Sequence, residues 1–399
     1  MKELIPNGGI PRGTLFAMAV IGGLTVANLY YNQPLLEDMR QSFGATELQA
    51  NLITFITQLG YASGLVLIVP LADKVSRRKI ISVNMSVAVV CCMAIALAEN
   101  LWVIWLASLV LGCNSVVPQM FVPVASHFSK SENKSCNMGI VLTGLLSGVL
   151  GARVLSGYVG DLAGWRTMFA IAAAIMAICL VCMLRTLPVM PNSFEGSYGK
   201  LMRSIGSIYC RYPAIRIYAL RGGLSFGSMM AIWSCMAFHL AGAPFYAGSE
   251  AVGMLGLCGL AGAAAASGIG KYIPRLGIER FCRIGSVLQF SAWAVACLFP
   301  DSYVGLVAAI MLVDVGAQCY QLSNQSGCLA LVPEATNRSN TIFMSHLFAG
   351  GSLGTLCAGV AWNYGGWNAI CLTGFLFTFA VVLVSFLFER TVKEQQRGA

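Results

Sequence analysis

The sequence predicts an all-α membrane protein with twelve transmembrane helices in two pseudo-symmetric six-helix bundles. Composition is the first reason: of 399 residues, 57% are hydrophobic and only 10% charged, with mean hydropathy +0.74. A soluble domain has about a quarter of its residues charged, so this surface must face lipid. Second, apolar runs of about 20 residues, the length that crosses the hydrocarbon core, recur along the whole chain. Third, basic residues cluster between those runs and fall almost wholly on one side of them, as cytoplasmic loops do.

Taken in order, residues 1–12 lead into an uncharged stretch from Gly13 to Leu36. A signal-peptide core reaches only about 7–15 residues, so this stretch reads as a retained first span. Spans 2–6 are expected near 48–71, 80–98, 101–126, 136–158 and 167–187. Spans 7–12 follow near 217–240, 250–270, 281–299, 303–327, 340–363 and 367–388. The last two share one uncharged stretch, divided at the turn formers Asn363-Tyr364-Gly365-Gly366. Residues 188–212 hold no apolar run of spanning length and are rich in loop formers, among them Pro188, Pro191, Asn192, Ser193 and Gly196. The expected division is a bundle at 1–187, a cytoplasmic connector at 188–212 and a second bundle at 213–399.

On this numbering, 21 of the 25 Lys and Arg residues lie on one side of the membrane. Arg40 and Arg166 lie on the other, and Arg153 and Arg221 fall within spans. Both termini and the connector are therefore expected in the cytoplasm. The same clustering accounts for the net charge of +9 without a nucleic-acid partner. The 15 Cys lie mostly within apolar runs and lack CxxC spacing, so they read as small buried apolar residues. His127, His239 and His346 are scattered, without metal-ligand spacing. No metal or cofactor is expected.

The chain repeats itself at half-length. Gly164-Trp165-Arg166 before span 6 recurs as Gly366-Trp367-Asn368 before span 12, an offset of 202. The same offset carries Arg77-Arg78 onto Glu279-Arg280, and Gly148 and Gly151 map onto Gly351 and Gly354 at offset 203. Two bundles joined by a loop place a solute site at their interface, near the bilayer midplane.

Four blocks carry a family likeness. They are Ala27–Leu36 (ANLYYNQPLL), Pro70–Lys79 (PLADKVSRRK), Gly148–Gly157 (GVLGARVLSG) with Gly164-Trp165-Arg166, and Asp314–Asn340 with Asn324-Gln325 and Pro333-Glu334. Together they resemble the major facilitator superfamily, and within it the drug:proton antiporter and sugar-efflux branch. Pro70 and Ser76 depart from the signature loop, where glycine is usual. The resemblance implies a secondary transporter, acting as a monomer in the bacterial inner membrane and exporting a small solute in exchange for protons. It also implies that Asp73, Arg77 and Arg78 form a cytoplasmic gate; plain topogenesis is the other reading of that basic cluster.

Span 10 has the strongest polar pattern. Asp314, Gln318, Gln321 and Gln325 are spaced i, i+4, i+7 and i+11, within about 60° of one another on a helix. Four such groups facing lipid would be prohibitively costly, so the stripe meets either a wet cavity or a dry hydrogen-bonded seam. Asp314, near mid-span, is the leading candidate for proton coupling, because desolvation favours the neutral form of a carboxyl. A structural Asp bonded to neighbouring amides is the alternative. Arg153 sits roughly 8 Å from the centre of span 5 and needs a carboxylate, carbonyls, water or substrate. It reads as a gate or substrate contact, while Arg221, nearer its span end, reads as a snorkelling side chain. Asn28, Tyr31 and Asn32 of span 1, Asn114 and Gln119 of span 4 and Trp233 of span 7 complete the candidate cavity for an uncharged or amphipathic solute. Each is equally well placed for ordinary helix packing. Glu37 and Asp38 read as solvated carboxylates at the external end of span 1.

Rival functions lack their signatures. A membrane-embedded enzyme would want clustered His, Asp or Glu, or a Ser/His arrangement. Direct ATP drive would want G-x-x-x-x-G-K-[ST], and a channel a ring of charge or carbonyls. A proton-coupled importer of a small metabolite is the nearest alternative.

Overall fold

The computed structural model describes Leu4, residues 7–188 and residues 197–388, and no strand occurs among them. Span 1 comprises Arg12–Ala27 and Asn32–Phe43, interrupted at residues 28–31. Spans 2 and 3 are Glu47–Leu67 and Arg77–Ala96; span 4 comprises Leu101–Asn114 and Pro118–Phe128. Spans 5 and 6 are Lys134–Ala163 and Trp165–Thr186. In the second half, span 7 is Pro213–Ala241 and span 8 comprises Ser249–Leu255 and Gly259–Leu276. Spans 9 and 10 are Ile278–Leu298 and Tyr303–Leu331. Spans 11 and 12 lie within one continuous helical stretch, Thr336–Leu387, which leaves helical geometry only at Gly365 and Gly366. The twelve expected spans are thus present among the described residues, two of them fused across a kink.

Helix ends follow local chemistry. The Thr46 hydroxyl accepts from the Gln49 backbone while the Gln49 side chain accepts from the Thr46 backbone, a reciprocal cap that starts span 2 and is worth about 1 kcal/mol. Asn100 and Ser302 cap spans 4 and 10 in the same sense. The interruptions in spans 1 and 4 end just before Pro34 and at Pro118, where a missing N–H and a fixed φ disfavour continuous helix. Gly164 and Gly366 both hold positive φ, +81° and +54°, immediately before spans 6 and 12. A side chain is strained there, which is why the Gly-Trp pair recurs in both halves.

Close-packed glycines pin each bundle. A Cβ at Gly148 of span 5 would lie 2.1 Å from the Gly23 carbonyl oxygen of span 1, and one at Gly354 of span 11 would lie 2.1 Å from that of Gly227 of span 7. Gly144 meets Ala19 and Gly350 meets Gly223 in the same way. The repeat therefore runs 144/148 onto 350/354 at offset 206. The expected equivalence of Gly151 with Gly354 is corrected: a Cβ at Gly151 would meet nothing within 4 Å. The offset falls from 206 here to 202 at Gly164 and Gly366 within one continuous helix of each half, a difference of about one helical turn that matching letters alone missed.

The connector also differs from expectation. Residues 189–196 lie outside the described residues, but Tyr198–Arg211 is an amphipathic helix capped by Ser197. Leu201, Ile205 and Ile208, at i, i+4 and i+7, are its buried face. The Tyr198 hydroxyl donates to Leu67 O of span 2 at 2.8 Å, and Arg338 at the start of span 11 donates to Ser204. The helix thus straps the two halves together at the basic end.

The halves meet along two seams. Span 2 lies against span 11, with Asn51 beside Gly359 and the Tyr61 ring 4.3 Å from that of Phe348. Span 5 meets span 8 toward the end opposite the basic loops, where Ser249 Oγ donates to Gly157 O at 3.1 Å.

Candidate functional site

At the interface of the halves, four spans bring together charge and aromatic surface. Arg153 of span 5 is 3% exposed and its Nε donates to Gln33 Oε1 of span 1 at 2.9 Å. Its guanidinium lies over the Trp233 ring of span 7 at 3.8 Å and over the Tyr30 ring of span 1 at 5.1 Å. Trp233 Nε1 in turn donates to Asp314 Oδ1 of span 10 at 3.1 Å. Asp314 is 7% exposed. Arg153 and Asp314 therefore share one indole, one on its face and one on its edge; no ion pair between them occurs among the described residues. A cation on the face and an anion on the N–H edge both suit the charge distribution of indole.

The surroundings are close. A Cβ at Gly256 of span 8 would lie 2.8 Å from Arg153 Cβ, and one at Gly259 would lie 2.4 Å from Leu150 and 3.5 Å from Asp314 Oδ2. The break at residues 256–258 of span 8 thus lies directly against the pair. Nearby, Gln58 of span 2 donates to Met230 Sδ at 3.0 Å and Gln33 Nε2 of span 1 approaches the same sulfur at 3.8 Å, so one thioether accepts from two spans of the first half.

The expected site residues divide into three groups. Arg153, Trp233 and Asp314 converge. Gln318 and Gln321 are half-buried, and Gln325 donates to Asn340 Oδ1 at 2.8 Å. The stripe thus runs from Asp314 toward a cavity of about 40 Å³ at the basic end, lined by Arg77, Gln119, Asn340 and Met344 among others. Such a space holds a few waters. Gln119 also donates to the Tyr61 hydroxyl at 3.1 Å.

The third group turns inward. Asn28 Oδ1 accepts from Cys92 at 3.9 Å, and Tyr31, 1% exposed, lies toward Cys92 and Cys179, so both face spans 3 and 6. Asn32 bonds Thr54 and Thr57 of span 2, each at 3.3 Å, and Asn114 donates to Val110 O of its own helix. The interruption at residues 28–31 resets the helical phase, so that Gln33 faces Met230 of the other half and Tyr30 faces the Arg153 guanidinium. Both stand in the block Ala27–Leu36, and only the break could have singled them out.

Three further placements matter. Arg221 does not snorkel: its side chain is 0% exposed, its Nη1 is 2.7 Å from Glu279 Oε1 and its Nη2 donates to Ser385 O at 3.2 Å. The start of span 9 supplies a carboxylate nearer than the membrane surface. Glu37 is half-buried and bonded to Arg40 at 2.7 Å instead of free in water. In the basic loop, Arg78 donates to Leu184 O of span 6; Asp73 lies in the short helix Leu71–Lys74 and its side chain is outside the described residues.

Comparison with known proteins agrees with this architecture. The Major Facilitator Superfamily profile matches residues 18–335. An uncharacterized transporter, YgaY of Escherichia coli O157:H7, is 33% identical over 95% of this chain and 96% of its own length. The probable transporter SCO4007 of Streptomyces coelicolor is 30% identical over 92% of this chain and 85% of its own. A more distant relative from Haemophilus influenzae, named a probable sugar efflux transporter, is 21% identical over 70% of this chain and 68% of its own. Among solved structures, an inward-facing bacterial homologue of the human lysosomal transporter Spinster superposes with TM-score 0.77 at 15% identity, over 97% of this chain and 99% of that one. With a matching profile over most of its length, transporters for relatives and the same twelve-helix architecture, this chain belongs to the Major Facilitator Superfamily.

Proposed function

We propose that this protein is a proton-coupled secondary transporter of a small solute in the bacterial inner membrane, with its basic end and both termini in the cytoplasm. It works by alternating access, its halves rocking around the site that joins Arg153, Trp233 and Asp314. The observation that carries this reading is Asp314: a mid-span carboxylate at the interface of the halves, held by a single indole N–H. An intramembrane carboxylate at that place can take up and release a proton as rocking exposes it to each side in turn. Gln318, Gln321 and Gln325 line its route toward the basic end, with Arg77, Arg78 and Asp73 as the gate there. Nothing in the site calls for covalent chemistry, so the chain is read as a carrier and not an enzyme, working as a monomer.

Export in exchange for protons is the direction supported by relatives named sugar efflux transporters. Uptake together with a proton is a second reading, favoured by one observation: a cation and an acid share the same aromatic side chain. The test is reconstitution of the full chain in liposomes under an imposed pH gradient. Wild type should move solute in response to the gradient, and Asp314→Asn should reduce that response to the gradient-free level. Unchanged coupling in Asp314→Asn removes the proposed role.

A further inference from the structure

Arg153 and Arg221 are buried well inside their spans, and the chain treats them differently. Arg221 has a carboxylate at 2.7 Å and a backbone carbonyl at 3.2 Å. Arg153 has neither. Of its five N–H donors, the one on Nε is taken by Gln33, and the four on Nη1 and Nη2 have no hydrogen-bond partner among the described residues. Trp233 and Tyr30 lie over its faces. What remains is the Nη edge, the planar fork that matches a carboxylate with two parallel hydrogen bonds. That edge is not sealed, since the residue keeps 3% of its surface accessible, so a small ligand can reach the fork.

We propose that Arg153 binds the carboxylate of a small, singly charged organic acid, and that the acid is carried together with a proton on Asp314. This rests on the second transporter reading above, movement of the solute together with a proton, and gives its substrate a chemical class. The charge count supplies the linkage. Arg153 is the facing cation for Asp314; Tyr30, Trp233 and Cys258 are its other polar or ionisable neighbours from spans 1, 7 and 8. With Asp314 ionised the cluster is neutral, and an added anion makes it net negative in a low-dielectric site. Taking up one proton on Asp314 restores neutrality. A dianion would leave an excess charge even then, which excludes a phosphate monoester or a dicarboxylate as the preferred cargo. The rings of Trp233 and Tyr30 suit an apolar or aromatic body beyond the carboxylate.

The test uses the purified full chain in lipid nanodiscs, with acetate, butyrate, hexanoate and benzoate, each against its neutral amide. At least one acid should raise the melting temperature where its amide does not, and its binding should take up protons from weakly buffered solution. Arg153→Gln should weaken that binding by roughly 30-fold or more, the scale for removing one partner of a buried charge pair. If that variant is not monodisperse, Arg153→Lys, which keeps the charge without the fork, should still weaken it by about tenfold. Asp314→Asn should retain acid binding and lose the proton uptake. Amides binding as well as acids, no acid binding, or binding indifferent to Arg153 would overturn the proposal. Gradient-driven flux that persists alongside any of those results leaves the transporter reading intact; absence of gradient-driven flux in wild type overturns that reading itself.

Discussion

Arg221 and Arg153 show how a single residue's meaning depends on its partners. Both are buried cations in a lipid-solvated protein, where an unpaired charge is expensive. Arg221 is bound by Glu279, which retains 27% side-chain exposure. Removing the acid strands a fully buried cation, so Glu279→Ala should destabilise the second half by about 3 kcal/mol, the lower end for breaking a buried pair. Thermal denaturation in detergent reads this directly. An unchanged melting temperature would mean that water or Ser385 already satisfies the guanidinium. Arg221→Met, which removes the buried charge together with its need for a partner, should cost less. The sequence marked both arginines as intramembrane charges, yet it could not assign either partner, because Glu279 is 58 residues from Arg221 and Gln33 is 120 from Arg153.

Among the elements, the glycine seams decide how closely spans 1 and 5, and spans 7 and 11, approach. Substituting Gly148 puts a methyl group 2.1 Å from a backbone oxygen, which side-chain motion cannot relieve. Gly148→Ala should therefore lower stability by roughly 1–3 kcal/mol, the usual cost of overpacking, whereas Gly151→Ala, facing open space, should be neutral within about 0.5 kcal/mol. Equal melting temperatures for the two variants would contradict the seam. Span existence was readable from apolar length alone, since the bilayer imposes it. The interruption at residues 28–31 was not, and extending one helical phase through it sent Asn28 and Tyr31 to the wrong face. The connector helix is hard to read from sequence for a related reason: Leu201, Ile205 and Ile208 form a narrow apolar stripe, far short of a spanning run.

For the whole molecule, the halves are closed at the end opposite the basic loops, where spans 5 and 8 touch. A Cβ at Gly160 would lie 3.5 Å from Ser249 Cβ, within the range a disulfide spans. In a background without the native cysteines, Gly160→Cys with Ser249→Cys should cross-link under mild oxidation and stop solute flux in liposomes. Reductant should restore it. Full flux after verified loss of both thiols would show that this end need not open for transport.

The sequence by itself determined the solvent, the number of spans and the half-length repeat, because hydropathy acts locally and each span must satisfy the bilayer alone. It also placed Asp314 and Arg153 in the membrane as charges that require a reason. Tertiary structure decided which partners they have. Spans 1, 5, 7, 8 and 10 meet at one point, so that Trp233 bridges Asp314 and Arg153, Gln33 takes one guanidinium edge and the other is left open. Those contacts join residues far apart in the chain, and packing alone brings them within hydrogen-bonding reach.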